Sequence, residues 1–159
     1  MSRAEQLASL ATGPYLAACS LLVIAGIAKL RSRRAILGAA EIAVGAAGAA
    51  VGGVAALVVA AAYALLAAYV VHLLRTAPGT PCDCLGAASA PVTGAHLAVN
   101  VAACASAATA AFGVPPASEL ADQPLAALPF LGLVVCCAWL AALVLGAHAD
   151  LRASSGGHR

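Results

Sequence analysis

Residues 54–74 read VAALVVAAAYALLAAYVVHLL, with no Asp, Glu, Lys or Arg before Arg75. A helix that crosses the hydrocarbon of a bilayer needs about 20 mostly apolar residues, with a range of roughly 17–25. This stretch meets that need unaided, and as a helix it satisfies its own backbone hydrogen bonds, as lipid demands. The rest of the chain has the same character. Of its 159 residues 64% are apolar and 9% charged, against about a quarter charged in an ordinary soluble domain. So few charges cannot cover a water-facing surface. The expectation is an all-α, multi-pass transmembrane bundle of four to five helices, one domain embedded in the lipid bilayer of the plasma (inner) membrane.

Working outward from residues 54–74, spans are expected at about 14–30, 35–52, 54–74, 93–113 and 125–147, giving a transmembrane domain over 14–147. Residues 1–13 form an N-terminal flank and residues 148–159 a polar C-terminal tail. The boundaries are marked by chemistry. Arg31-Ser32-Arg33-Arg34 is costly in hydrocarbon. Gly52-Gly53 is a tight break. Residues 76–81 hold two prolines and a glycine, Val114-Pro115-Pro116 stops the fourth span, and Pro124 precedes the fifth. The N-terminus does not read as a cleaved signal peptide, because its apolar run starts late and has a basic downstream flank.

The segment 35–52 is short and rich in Ala and Gly, and carries Glu41. Gly45, Gly48 and Gly52 fall near one helical face, and small faces let helix backbones approach closely in a bilayer. That predicts a tightly packed inner helix with the neighbouring spans around it; a plain Ala/Gly bias is the alternative. The placement of Lys and Arg predicts topology. Arg31, Arg33 and Arg34 favour the cytoplasmic side, and five spans then put Arg75 and Arg152 there as well, with the N-terminus outside. The same count puts the loop after the third span at the cytoplasmic face. If 35–52 is not a full span, that loop changes sides.

The loop carries Pro81-Cys82-Asp83-Cys84-Leu85-Gly86. Among six cysteines only Cys82 and Cys84 lie outside the spans, where thiol chemistry has access. A disulfide between them would close a strained ring, and strained, exposed disulfides are the exchangeable ones. Asp83 works against a neighbouring thiolate. A cytoplasmic position conflicts with the oxidising exterior where disulfides usually form. Three readings stand: a redox pair, incidental or stapling cysteines, and a thiolate pair for a soft metal ion.

Within the spans, His96, Asn100 and Cys104 recur at i, i+4, i+8 and share one helix face. His96 is a candidate proton carrier or thiolate stabiliser near the loop; a hydrogen-bonding face between helices is the plainer reading. Glu41 is an acid well inside an apolar segment and therefore a candidate functional residue, with an ion pair to Lys29 or Arg31 as the structural alternative. Cys136 and Cys137 cannot easily bridge each other on a helix, but either could meet Cys104 or Cys19; packing is the default. His72 and Arg75 suit interfacial anchoring at a helix C-terminus. No basic stripe interleaved with aromatics supports nucleic-acid binding. No Ser-His-Asp set, phosphate-cradling loop or carboxylate pair supports a hydrolase or a kinase.

Ala28-Lys29-Leu30-Arg31, Glu41-Ile42-Ala43-Val44-Gly45, Pro81-Cys82-Asp83-Cys84-Leu85-Gly86, and then Pro91-Val92 with His96 and Asn100, occur in that order. This set resembles the methylamine utilisation protein MauE family, within the MauE/DoxX-like membrane proteins, over roughly residues 14–113, with Leu85 where the family motif has Phe. The resemblance implies a multi-helix membrane protein of redox maturation, required in that family for making methylamine dehydrogenase. It implies Cys82 and Cys84 as the redox pair, a thioredoxin-like partner, and Glu41, His96 and Asn100 as motif positions. No residue pattern demands a cofactor; a quinone would serve as a lipid-phase electron acceptor.

Overall fold

Long runs of Ala, Leu and Val give the backbone no polar partner but itself, so the apolar stretches close into α-helix. The computed structural model of the chain describes residues 3–30, 34–77, 80, 91–113 and 128–141. Among the described residues there are five helices and no strand: α1 Arg3–Leu30, α2 Ala35–Val51, α3 Val54–Thr76, α4 Gly94–Ala110 and α5 Leu128–Ala141. The all-α architecture is as expected. Residues 11–30 of α1 and the whole of α3 are long and apolar enough to cross a membrane, while α2, α4 and α5 are shorter apolar helices. At 1.5 Å per residue, the 17 residues of α2 and of α4 span about 25 Å, a little less than a hydrocarbon core of about 30 Å.

Two boundaries follow from single residues. The first helix begins at Arg3 and runs through Pro14. Proline disfavours the α region for the residue before it by clashing with that residue's N–H and Cβ, and Gly13, with no Cβ, eases that clash. Between α2 and α3 the chain reverses within Gly52 and Gly53, at φ 65° and 50°. These left-handed angles are open to glycine at little cost, so the two-residue reversal foreseen from sequence is built on the residues that permit it.

The helices alternate in direction. α2 packs on α1 and α3, and α4 packs on α3 and α1, which closes a ring of four. Val70 and Leu73, late in α3, pack with Val92, and Leu97 near the start of α4 lies against them. The end of α1, the start of α2, the end of α3 and the start of α4 therefore share one end of the bundle. The core is built from Tyr15, Cys19 and Leu22 of α1, Val59 and Tyr63 of α3 and Ala107 of α4.

The second helix corrects one expectation. Its close packing is real: its buried residues are Gly38, Gly45 and Gly48. A Cβ added at Gly26 would stand 2.5 Å from the Gly38 carbonyl oxygen, and one at Gly45 would stand 2.7 Å from the Cys19 carbonyl oxygen. Yet α2 is not an inner helix surrounded by the others. Its opposite face is open, with Ile36 90% and Val51 63% exposed. A stripe of glycines is narrow and grips one neighbour at backbone distance, so α2 lies flat against α1 while its larger side chains point outward. The exterior elsewhere is equally apolar: Val54, Leu65, Phe112 and Leu128 are all more than two-thirds exposed. Apolar exposure on this scale suits a lipid or protein environment rather than water.

Gly38→Val places a side chain against the α1 backbone, where the nearest atom is the Gly26 carbonyl oxygen at 2.6 Å. Overpacking of this kind costs about 1–3 kcal/mol. The expected outcome is a lower melting temperature for the detergent-purified protein, with Gly132→Ala, which meets nothing within 4 Å, as an unaffected or slightly stabilised control.

Candidate functional site

The polar side chains buried in the interior gather mainly at the end of the bundle shared by α1, α2, α3 and α4. Lys29 lies in the last turn of α1, where the C-terminal partial charge of the helix favours a cation. Glu41 lies in the second turn of α2. The close approach of Gly26 and Gly38 brings the two helices together just beside them, and the Lys29 Cβ is 3.1 Å from where a Gly38 Cβ would be. Lys29 Nζ donates to Glu41 Oε1 at 2.5 Å, with the side chains 5% and 12% exposed. The other carboxylate oxygen, Glu41 Oε2, is buried and accepts no hydrogen bond from the described residues. The ion pair anticipated for Glu41 is thus present, with Lys29 as its partner; Arg31 lies outside the described residues.

The start of α4 forms the second polar group. Thr93 is the N-cap, and His96 occupies the third helical position. The Thr93 N–H donates to His96 Nδ1 at 3.3 Å, the Thr93 hydroxyl lies 3.0 Å from the same nitrogen, and the His96 backbone N–H bonds back to the Thr93 side chain. This is a capping box with histidine in the place that Glu or Gln usually takes. Because Nδ1 accepts, the bonding pattern assigns the proton of the neutral ring to Nε2. Asn100 Nδ2 donates to the His96 carbonyl oxygen at 2.8 Å. His96 and Asn100 are buried and Cys104 is half-buried, so the shared face read from the spacing is the inward one. The Asn100 bond runs within α4, however, and not between helices, because the carbonyl one turn back is its nearest acceptor.

Cys82 and Cys84 lie outside the described residues. The residues on either side of their loop are held together: the Val92 N–H donates to the Thr80 carbonyl oxygen at 3.1 Å, and the Thr80 hydroxyl donates to the Ala77 carbonyl oxygen. The segment carrying the two cysteines therefore leaves and re-enters at the end that also holds Lys29–Glu41 and Thr93–His96. His72 and Arg75 are exposed at the last turns of α3 at this same end.

Cys19, Cys104, Cys136 and Cys137 are all free. Cys19 is in the core, while Cys136 and Cys137 are exposed. The possible meeting of Cys136 or Cys137 with Cys104 or Cys19 does not occur, because α5 turns Val134 and Ala138 inward and so points its cysteines away. Sequence reasoning missed Tyr15 and Tyr63 as polar links. The Tyr15 hydroxyl donates to the Gly48 carbonyl oxygen and the Tyr63 hydroxyl to the Ala18 carbonyl oxygen, each at 2.6 Å. A tyrosine deep in an apolar span signals a need for an acceptor, but the carbonyl on another helix is invisible in the chain.

No family model, curated protein or solved structure matches the chain.

Two outcomes test this geometry. Glu41→Leu takes the carboxylate from a buried ammonium and is expected to cost about 3–5 kcal/mol, and the double variant Lys29→Met with Glu41→Leu is expected to recover most of that loss. Chemical denaturation of the four proteins of this cycle reads both. Thr93→Ala removes the N-cap oxygen and is expected to cost about 1 kcal/mol, read as earlier hydrogen exchange in the first turn of α4.

Proposed function

We propose that this chain is a multi-pass protein of the plasma (inner) membrane, of the MauE type, that supports thiol–disulfide redox maturation of partner proteins through Cys82 and Cys84. A thioredoxin-like protein is its companion. The apolar exterior and the two helices of spanning length support the membrane part of this reading. The observation that carries the redox part is the joining of Thr80 to Val92, which holds the base of the Cys-x-Cys loop at one end of the bundle.

In the exchange, a thiolate of one partner attacks a sulfur of the other's disulfide and forms a mixed disulfide. The second thiol of the attacking pair then displaces it. One disulfide is lost and one formed, two electrons and two protons pass between the pairs, and no other oxidant enters the step. Net oxidation of many partners requires an electron acceptor for the Cys82–Cys84 dithiol, and a quinone has the right lipid solubility.

The test is thiol labelling in intact cells with a membrane-impermeant reagent, in a chain carrying Ser at the four other cysteines. Labelling of Cys82 and Cys84 only after reduction would support the redox pair and put the loop outside, against the five-span topology; labelling only after lysis would put it inside and count against a disulfide-forming role. Cys82→Ser and Cys84→Ser are each expected to abolish disulfide formation in the partner while leaving the helical content unchanged. Full function in both Ser variants would instead favour a scaffold subunit, and stoichiometric copper or zinc on the purified protein would favour a soft-metal carrier.

A further inference from the structure

On the outer face of α3, Leu65, Tyr69, His72 and Arg75 follow one another at helical spacing, and all four are exposed. Over about 15 Å of helix rise they pass from an aliphatic chain, through an aromatic with a polar tip, to a ring N–H and a fixed positive charge. The neighbouring helix α2 repeats that change within one turn. Arg34 is exposed at its N-cap, and Ile36 and Leu37 are exposed just inside it. The two helices are antiparallel and joined by the reversal at Gly52 and Gly53. Arg34 and His72 each lie about five turns from that reversal, so the two transitions fall at one height, with Arg75 nearly a turn further out.

The charge of the chain is divided between the two ends in the same sense. By sequence, the connections at this end, 31–34 and 77–93, hold three arginines and one acid, Asp83. Those at the other end, 52–53 and 111–127, hold two acids, Glu119 and Asp122, and no Lys or Arg. Lys29 and Glu41 pair inside the bundle and add nothing to its surface. A free phosphate or a nucleic acid would answer to the cations but not to the exposed Ile36, Leu37 and Leu65 beside them. A ligand that meets both needs an anionic head and an apolar tail. We propose that the α2–α3 face at this end is a site for an anionic phospholipid, with its phosphate at the level of Arg34, His72 and Arg75 and its acyl chains along Ile36, Leu37 and Leu65. Tyr69 lies at the boundary between the two, the level at which amphipathic aromatic rings are favoured. A basic surface between spanning helices is a recurrent seat for such headgroups. The inference rests on the membrane reading above and is independent of the chemistry of Cys82 and Cys84.

Two measurements on the full chain separate the site from the membrane reading. Flotation with neutral phosphatidylcholine vesicles, resistant to alkaline carbonate, tests insertion alone; a chain that does not float overturns the membrane reading and the site with it. Native mass spectrometry in neutral detergent, with added phosphatidylglycerol or phosphatidylcholine, reads the site. Wild type is expected to hold phosphatidylglycerol more tightly, by about five-fold for each arginine engaged. Arg34→Gln and Arg75→Gln are each expected to lose about that factor, and the double variant the whole preference, with flotation and helical circular dichroism unchanged. Arg34→Lys with Arg75→Lys keeps the charge and is expected to keep most of the preference. A chain that floats but binds the two lipids equally, or a preference that survives the double Gln variant, overturns the proposal and leaves an acidic protein partner as the occupant of this face.

Discussion

The contact on which this bundle depends is the seam between α1 and α2, where glycine lets one backbone lie against another. Gly26 meets the Gly38 carbonyl, Gly45 meets the Cys19 carbonyl, and Gly48 receives the hydroxyl of Tyr15. Each of these contacts has no room for a side chain. In an apolar environment helices gain little from hiding oily surface from one another, so association rests on close packing and on hydrogen bonds between helices. The glycine seam supplies the first. Tyr15 and Tyr63, each bonding a backbone carbonyl on another helix, supply the second.

The same seam creates the polar end of the molecule. Because the two backbones converge at Gly26 and Gly38, the side chains just beyond them, Lys29 and Glu41, must meet. A buried ion pair seldom adds net stability, since desolvation offsets most of the attraction. Its value here is register: with Lys29 on α1 and Glu41 on α2, a slide of one turn along the seam would strand two charges. Thr93 and His96 do similar work at the start of α4, where a capping box fixes the point at which the loop becomes helix. The loop of Cys82 and Cys84 thus springs from an end whose helices are held by an ion pair on one side and a cap on the other.

Much of this was legible in the chain. The helices and most of their limits follow from apolar length, and the Gly52–Gly53 reversal from the one residue type that tolerates its angles. The helical turns ahead of Pro14 were not read from the chain, because the apolar run that marks a span begins only near there. The inward face of α4 was readable from the spacing of His96 and Asn100. The acceptor of Asn100 was not, because spacing says which face a residue is on but not which of several carbonyls it will reach.

By itself, the sequence determined that this protein is helical and apolar throughout, that its cysteine loop lies between the third and fourth helices, and that Glu41 needed a cation. Those properties are local: they depend on hydrophobic run length, turn chemistry and the cost of a lone charge. The tertiary structure alone decided that α2 is a peripheral helix gripping α1, that Lys29 is the cation, and that Cys136 and Cys137 face outward. Each of these depends on how helices rotate and slide against one another. That is settled by which small residues permit backbone contact across the seam, a property of two segments together that neither carries alone.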